Sequence, residues 1–392
     1  MRREIYVQAG MPREIAVVED GRLVEYLRDE QATSAAETIY LGKVDRVVPG
    51  MNAAFVDIGQ EKRGFLPLEE KSSTAPGQKL QSGTRIPVQI KREAHDHKGA
   101  FLTRDVTLCG QYVILMPMNR YVGVSAKVTD GGERRRLQRL GQALAGEEFG
   151  LVMRTAALQA PEEAIEEEAS ALWETWQQIL RDAAVAPVPS VIWQGGSLLE
   201  GVLRDYRPRG IDRVVTDDAS CAPAFQGACP VEEAEAGLMA RAGLIAQRDK
   251  ALGRFVWLDS GGSLVIDQCE AMTVIDVNTG KFTGKRLVKE TIRQLNLEAC
   301  GEIARQVRLR NLGGVIVIDF IDMADAADRA AVQEALAEAF RRDRIKTVLH
   351  GFTSLGLMEM TRKRARRTLR DEWTTPCRLC GGTGRVKEEA HG

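Results

Sequence analysis

The clearest hydrophobic pattern in the chain lies between Ala271 and Met323. Two short apolar runs, TVIDVN and VIVIDF, flank a long stretch, KRLVKETIRQLNLEACGEIARQVRLRN. In that stretch Leu295, Leu297, Ile303, Val307 and Leu309 recur at helical spacing. Gly313 and Gly314 end the helix before the second run, as C-cap glycines do. Strand, helix, strand predicts a βαβ unit. If its strands are parallel neighbours, the right-handed crossover rule puts both tips at one sheet edge, where open α/β sheets place ligands.

Other stretches carry different periods. EIYVQ, EIAVVE and RLVEYLR near the N-terminus read as a β-hairpin system too short to close a core alone. Its strands are expected to join a sheet completed later in the chain. From Glu37 to Thr107 the pattern is all β, with short strands broken by Gly and Pro, about the size of a five-stranded OB barrel. From 109 to about 188 come strand-like YVILMP and VGVSAKV, a basic helix ERRRLQRLGQAL, a strand EFGLVM and the acidic-headed helix after Pro161. VPSVIWQ, LLEGVLRDY and GIDRVVTDD alternate β and α, and PVEEAEAGLMARAGLIAQRDKAL reads as one capped helix. FVWLDS and GGSLVID form a hairpin through Gly261 and Gly262.

Composition narrows the function classes. A length of 392 residues predicts two or three domains. No run of 18 apolar residues exists, so no membrane span is expected, and MRREIYVQAG has no apolar core of a signal peptide. Seven scattered cysteines fit reduced thiols and a cytoplasmic location better than a disulfide framework. Four histidines make imidazole-pair catalysis a poor expectation. The net charge of −1 gives no global sign of a polyanion partner, so any such surface must be local. Arg134 to Arg136 form one cluster, and TRKRARRTLR from Thr361 to Arg370 holds six cations. Arg305, Arg308 and Arg310 on the long helix are expected to be solvated or to lie against phosphates.

Four sets of residues carry candidate chemistry. Asp276 and Asp319 end the two strands of the βαβ unit, with Asn278 beside the first. Paired carboxylates with an amide suit a hard cation such as Mg²⁺, which would acidify a water and neutralise phosphate oxygens; strand-end aspartates also serve as caps and turns. Asp322 lies near them in sequence. Phe55 and Phe65 flank GQEKRG among several cations; such rings either fill a core or stack bases. Arg154 and Thr155 at a strand end suit a terminal phosphate, or an ordinary surface ion pair. PCRLCGGTG supplies two thiolates, Cys377 and Cys380, for half of a zinc site. No second C-x-x-C exists, so the missing pair is expected from a second copy, a zinc-linked homodimer; a redox dithiol is the alternative. Asp212, Asp217 and Asp218 do not make a full nuclease constellation and read as scaffold.

The string GKVDRVVPGMNAAFVDIGQEKRGFLP resembles the ribosomal S-one-type OB domain. AMTVIDVNTGKFTG, NLEACGEIARQVRLRNLGGVIVIDFIDM, GFTSLGLMEMTRKR and PCRLCGGTGRV closely resemble the ribonuclease E/G family, its G members more than its E members. The resemblance implies an α/β and α+β multidomain chain. Its parts would be a split RNase H-like domain (1–34 and 189–251), an inserted S-one-type OB-fold RNA-binding domain (35–108) and a 5′ sensor (109–188). A DNase I-like catalytic domain (252–372) and a zinc-link tail (373–392) would follow. It also implies a Mg²⁺-dependent endoribonuclease that cuts single-stranded, A/U-rich RNA to 5′-phosphate and 3′-hydroxyl ends, is stimulated by a 5′-monophosphate, and acts in rRNA maturation and mRNA decay. By resemblance, Asp276, Asn278 and Asp319 are catalytic, with Mg²⁺ on the two aspartates. Phe55, Phe65 and Lys98 face RNA, Arg154 and Thr155 hold the 5′-phosphate, and Cys377 and Cys380 share Zn²⁺ between subunits. The sequence stops at Gly392, just past the zinc motif, so a small C-terminal domain and a degradosome scaffold are absent from it. A dimer is therefore expected, with tetramers and degradosome partners not expected. The competing reading is a non-catalytic RNA-binding member of the same fold.

Overall fold

β1 (Arg3–Gln8), β2 (Arg13–Glu19) and β3 (Arg22–Asp29) lie side by side, and β2 pairs antiparallel with β1. The computed structural model describes all residues except 30–36, 69–79, 95–98, 226–228, 281–287, 365, 381, 383, 385 and 387–392. β4 (Ile39–Val48), β5 (Ala53–Asp57), β6 (Gly64–Pro67), β7 (Arg85–Arg92) and β8 (Phe101–Thr103) close a barrel, because β4 pairs with both β5 and β7. Val44, Ala54, Val56, Leu66, Val88 and Leu102 fill it. Each alternates with an outward residue, which leaves Phe55 and Phe65 on the outside.

β9 (Leu108–Cys109), β10 (Val113–Met116), β11 (Val122–Val124) and β12 (Gly150–Met153) form a second sheet under α1 (Gly131–Ala145) and α2 (Glu162–Val185). Asp130 caps α1 through the Glu133 amide at 2.8 Å. β13 (Ser190–Trp193) then adds to β4 as a sixth barrel strand. α3 (Leu198–Tyr206) begins at a capping box of Ser197 and Glu200. The chain divides near 211/212, not at 188/189. Asp29–Ile211 makes up most of one compact unit; Met1–Arg28, Asp212–Phe225 and Cys229–Gly392 make the other. VPSVIW is a barrel strand because its turn places it antiparallel to Ile39–Leu41, a pairing that leaves no one-dimensional mark.

β14 (Arg213–Thr216) pairs parallel with β1, and β15 (Val231–Glu233) parallel with β14, so the N-terminal strands are completed from late in the chain as expected. The PVEE segment is that strand rather than a helix start. The helix expected after it is two: α4 (Leu238–Arg241) and α5 (Leu244–Leu252), broken at Gly243, whose φ is 67°.

The last sheet runs β16 (Phe255–Trp257), β17 (Ser263–Gln268), β18 (Met272–Asn278), β19 (Gly314–Asp319), then β21 (Met358–Arg362) and β20 (Thr347–Phe352). α6 (Val288–Leu309) crosses from β18 to β19, and α7 (Ala326–Phe340) packs beside it; α8 (Leu369–Trp373) lies near the end. Ile275, Val277, Ile316 and Ile318 meet Leu295, Ile303 and Val307 of α6 and Leu336 of α7 in one core. Full burial of each such side chain stabilises by about 1.5–3 kcal/mol.

Arg305, Arg308 and Arg310 of α6 are neither solvated nor open to phosphates. Arg308 pairs with Glu19 at 2.9 Å with both side chains buried, and Arg305 pairs with Glu302 at 2.6 Å and donates to the Leu23 carbonyl at 2.8 Å. Arg310 donates to Gln306 at 2.7 Å and to the Gly253 carbonyl at 2.8 Å. A helix covered on both sides must pair its charges, since an isolated buried ion is costly. Among the described residues no helix is long and apolar enough to cross a membrane.

Candidate functional site

β18 and β19 are parallel and in register, with Asp276 directly opposite Asp319 and Ile275 opposite Ile318. The isoleucines are in the core. Alternation therefore turns Asp276, Asn278 and Asp319 to the other face of the sheet. Strand neighbours lie about 4.8 Å apart, close enough for two carboxylates to act on one ion. Asn278 Nδ2 donates to Asp276 Oδ2 at 2.7 Å, which fixes the amide. Partial burial, then the charges of Asp276 and Asp322, hold the Asp319 carboxyl above the usual carboxylate range. Among the described residues no cation pairs with either aspartate. The turn after β18 also needs a glycine: Gly280 has φ 61°, and a Cβ there would sit 2.2 Å from the Gly261 carbonyl oxygen.

The donor set fits a small hard cation. Among the described residues no three His, Cys, Asp or Glu side chains converge as a metal cluster. Two carboxylates without a closed cage are what Mg²⁺ uses when it keeps several waters and takes its remaining oxygens from a substrate phosphate.

On the barrel, Phe55 stands opposite Phe65 and Phe65 opposite Phe101. Their ring centroids are 5.9 and 5.7 Å apart, and all three are half-buried. Arg46 lies 4.8 Å over Phe55 and Arg92 4.3 Å over Phe101. The rings are thus a surface platform, not barrel core. Rings flanked by guanidinium planes suit stacked bases with nearby phosphates. Lys98 lies outside the described residues.

Arg154 and Thr155 directly follow β12. The Arg154 guanidinium donates to Asp205 at 2.7 Å and to the Gly110 carbonyl, so its fork is held by the protein itself. Thr155 is exposed, and its hydroxyl lies 3.4 Å from that of Ser125. Arg134 steadies the Ser125 loop by donating to the Ser125 carbonyl at 3.0 Å, so this member of the basic cluster is structural. Arg136 is spent on Glu133 and Glu162, both at 2.9 Å. In the other cluster, Arg362 is buried against Asp343 at 2.6 Å.

Cys377 is exposed and Cys380 half-buried. The Gly384 amide donates to Cys380 Sγ at 3.2 Å, and Gly382 and Gly384 have φ of 91° and 71°. A thiolate that accepts a backbone N–H inside a glycine turn is suited to bind a metal.

Comparison with known proteins decides the family. The profile described as Ribonuclease E/G family matches residues 107–365, and that of the S1 RNA binding domain matches 34–105. The chain belongs to the ribonuclease E/G family. It is 38% identical to Ribonuclease G of Haemophilus influenzae over 95% of this chain and 82% of that protein. Ribonuclease G of Escherichia coli K12 is 36% identical over the same shares. Ribonuclease E of Escherichia coli K12 is 36% identical over 89% of this chain but only 35% of its own length. Membership places the barrel in the RNA-binding class and the Asp276 and Asp319 sheet inside the family-specific segment.

Sequence reasoning missed Phe101 as the third ring and Asp205 as the group that orients Arg154, while Arg46 and Arg92 were legible among the cations around the two rings. Phe101 was visible only as a short apolar run, and its place beside Phe65 depends on the parallel β6 to β8 pairing. Asp205 sits in α3, far from Arg154 in sequence, and nothing local marks the ion pair.

Proposed function

We propose that this ribonuclease E/G family member is an endoribonuclease that hydrolyses single-stranded, A/U-rich RNA in rRNA maturation and mRNA decay. It would leave 5′-phosphate and 3′-hydroxyl ends and be stimulated by a 5′-monophosphate. The observation that carries this reading is the in-register pair Asp276 and Asp319 on the sheet face opposite the core, with Asn278 bonded to the first. Asp276 and Asp319 would hold Mg²⁺, which when bound supplies positive charge for phosphate oxygens and lowers the pKa of a water. Asn278 holds the Asp276 carboxylate in one orientation and offers its own carbonyl oxygen to an attacking water. Phe55, Phe65 and Phe101 hold bases, with Arg46 and Arg92 beside the phosphates. Thr155 and Ser125 offer hydroxyls to a terminal phosphate, and Asp205 sets the direction of Arg154.

Cys377 and Cys380 are proposed to bind Zn²⁺ with the same pair from a second copy. Two thiolates in one chain leave a tetrahedral site half-filled, which is the support for a shared metal. One zinc per two chains, with Cys377→Ser yielding monomer in a mass measurement, is the expected result; a dimer that survives metal removal rejects it.

The test of the nuclease reading is incubation of matched 5′-monophosphate, triphosphate and hydroxyl RNAs with the unmutated chain and Mg²⁺. Cleavage that is fastest for the monophosphate is expected. RNA binding without any cleavage would instead leave the non-catalytic RNA-binding reading.

A further inference from the structure

The edge strand of the carboxylate-bearing sheet carries two large rings in the open. Phe255 is 60% and Trp257 68% exposed, while Val256 between them packs into the core. Their position is fixed by register. Phe255 stands opposite Val265, Val265 opposite Asp276, and Asp276 opposite Asp319. Trp257, Ser263 and Asn278 make the adjacent row. Residues opposite one another in a ladder point to the same face, so both rings share the face of the candidate catalytic groups. Leu264, Ile266, Ile275 and Val277 on the opposite face are all core. Two strand spacings separate Phe255 from Asp276, about 10 Å.

Edge strands are normally blunted with charge, and large exposed rings in alternate positions there point to a ligand or partner. The row leads directly into Asp276 and Asn278, over the half-buried Val265 and the small Ser263. Arg254 lies 6.0 Å from the Phe255 centroid and is tied to Asp267, so it stands at the rim of that ring.

We propose that Phe255 and Trp257 stack the bases of the RNA segment flanking the phosphate held at Asp276 and Asp319. The occupant is single-stranded RNA because a base needs a bare π-face, its backbone would run along the row toward the carboxylates, and the chain carries an S1 RNA binding domain. The rings are positioning residues: they set which phosphate reaches the carboxylates and touch no reacting atom. The inference rests on the nuclease reading above.

The test uses the full chain carrying Asp319→Asn, so that RNA is not consumed. A single-stranded RNA decamer with 2-aminopurine at successive positions is bound to it, and to the same chain with Trp257→Ala, Trp257→Phe, Phe255→Ala or Val348→Ala. Val348 is an exposed aliphatic residue of the same face in a distant row. Trp257→Ala is expected to weaken binding about 5- to 150-fold and to abolish the fluorescence quenching at one or two positions. Trp257→Phe is expected to restore most of both, and Val348→Ala to change neither. Binding within twofold of the parent and an unchanged quenching pattern in Trp257→Ala and Phe255→Ala overturn the proposal. So does a change in self-association by sedimentation in place of a change in RNA binding, which would make the rings a contact for a second copy. No step of this test requires cleavage. Quenching by the Asp319→Asn chain together with no cleavage by the unmutated chain keeps the stacking and loses the nuclease reading; normal cleavage by a chain carrying Trp257→Ala alone, with binding unchanged, loses only the stacking.

Discussion

Two sets of strand-end aspartates in this molecule look alike in sequence and differ in what surrounds them. Asp212, Asp217 and Asp218 bracket β14, and each is occupied. Asp212 accepts the Arg3 amide and Asp217 the Ala9 amide, both at 2.6 Å, and Asp218 pairs with Arg13 at 2.9 Å. Hydrogen bonds from Ser220 in particular hold Asp218 below the usual carboxylate range. Among the described residues, Asp276 and Asp319 at the ends of β18 and β19 meet the Asn278 amide and no cation, and partial burial, then the charges of Asp276 and Asp322, push Asp319 up. Carboxylates whose charge the fold has answered are scaffold. Those whose charge is left to repel are the candidates for a proposed cation site.

Replacing both open aspartates, Asp276→Asn with Asp319→Asn, should give the largest effect. Mn²⁺ or Mg²⁺ binding by calorimetry should fall at least about 100-fold, while the urea midpoint stays level or rises because repulsion is removed. A drop in stability would make these aspartates scaffold like the others. Arg308→Ala is the reverse case. It removes one of the two guanidinium partners of the buried Glu19, leaving Arg3, and should cost about 1–3 kcal/mol in urea unfolding, with cation affinity of the folded protein unchanged. Asp218→Ala should cost about 1–3 kcal/mol by loss of its hydrogen bonds, again without touching cation binding.

Acid sharpens the same contrast. Burial alone would raise Glu19, but Arg308 and then Arg3 outweigh it and hold the carboxyl below its ordinary 4.5; Glu302 is held down in the same way by Arg305. A lowered native pKa means stability that is present above about 4.5 and is lost as pH falls below it. The unfolding midpoint should therefore drop across that window, and Glu19→Gln should flatten the drop. The smallest effect belongs to Asp322→Asn. Removing that charge should lower the Asp319 pKa and move the acid limb of the activity profile slightly toward lower pH.

The βαβ unit was legible because its strands are continuous apolar runs and its helix keeps one period, so register followed from topology alone. Phe55 and Phe65 were left open between core and surface by the residues alone, and only the resemblance of their segment to the S-one-type domain pointed them outward, where alternation along β5 and β6 places them. The rest depended on long-range pairing. The addition of VPSVIW to the barrel, the third ring at Phe101 and the hold of Asp205 on Arg154 each join residues far apart in the chain. The α6 arginines misled because a helical wheel shows which side is polar, but not whether another layer of protein supplies the matching acids. Trp257 was read only as a hairpin residue; its meaning comes from the row that links it to Asn278.

The most direct measurement is Mg²⁺-dependent cleavage of a 5′-monophosphorylated single-stranded RNA, with product ends mapped, by the unmutated chain and by Asp276→Asn with Asp319→Asn. The proposed reading predicts 5′-phosphate and 3′-hydroxyl products from the first, and none from the second despite comparable RNA binding. Cleavage at the same sites by the double variant, in a preparation free of contaminating nuclease, would contradict it.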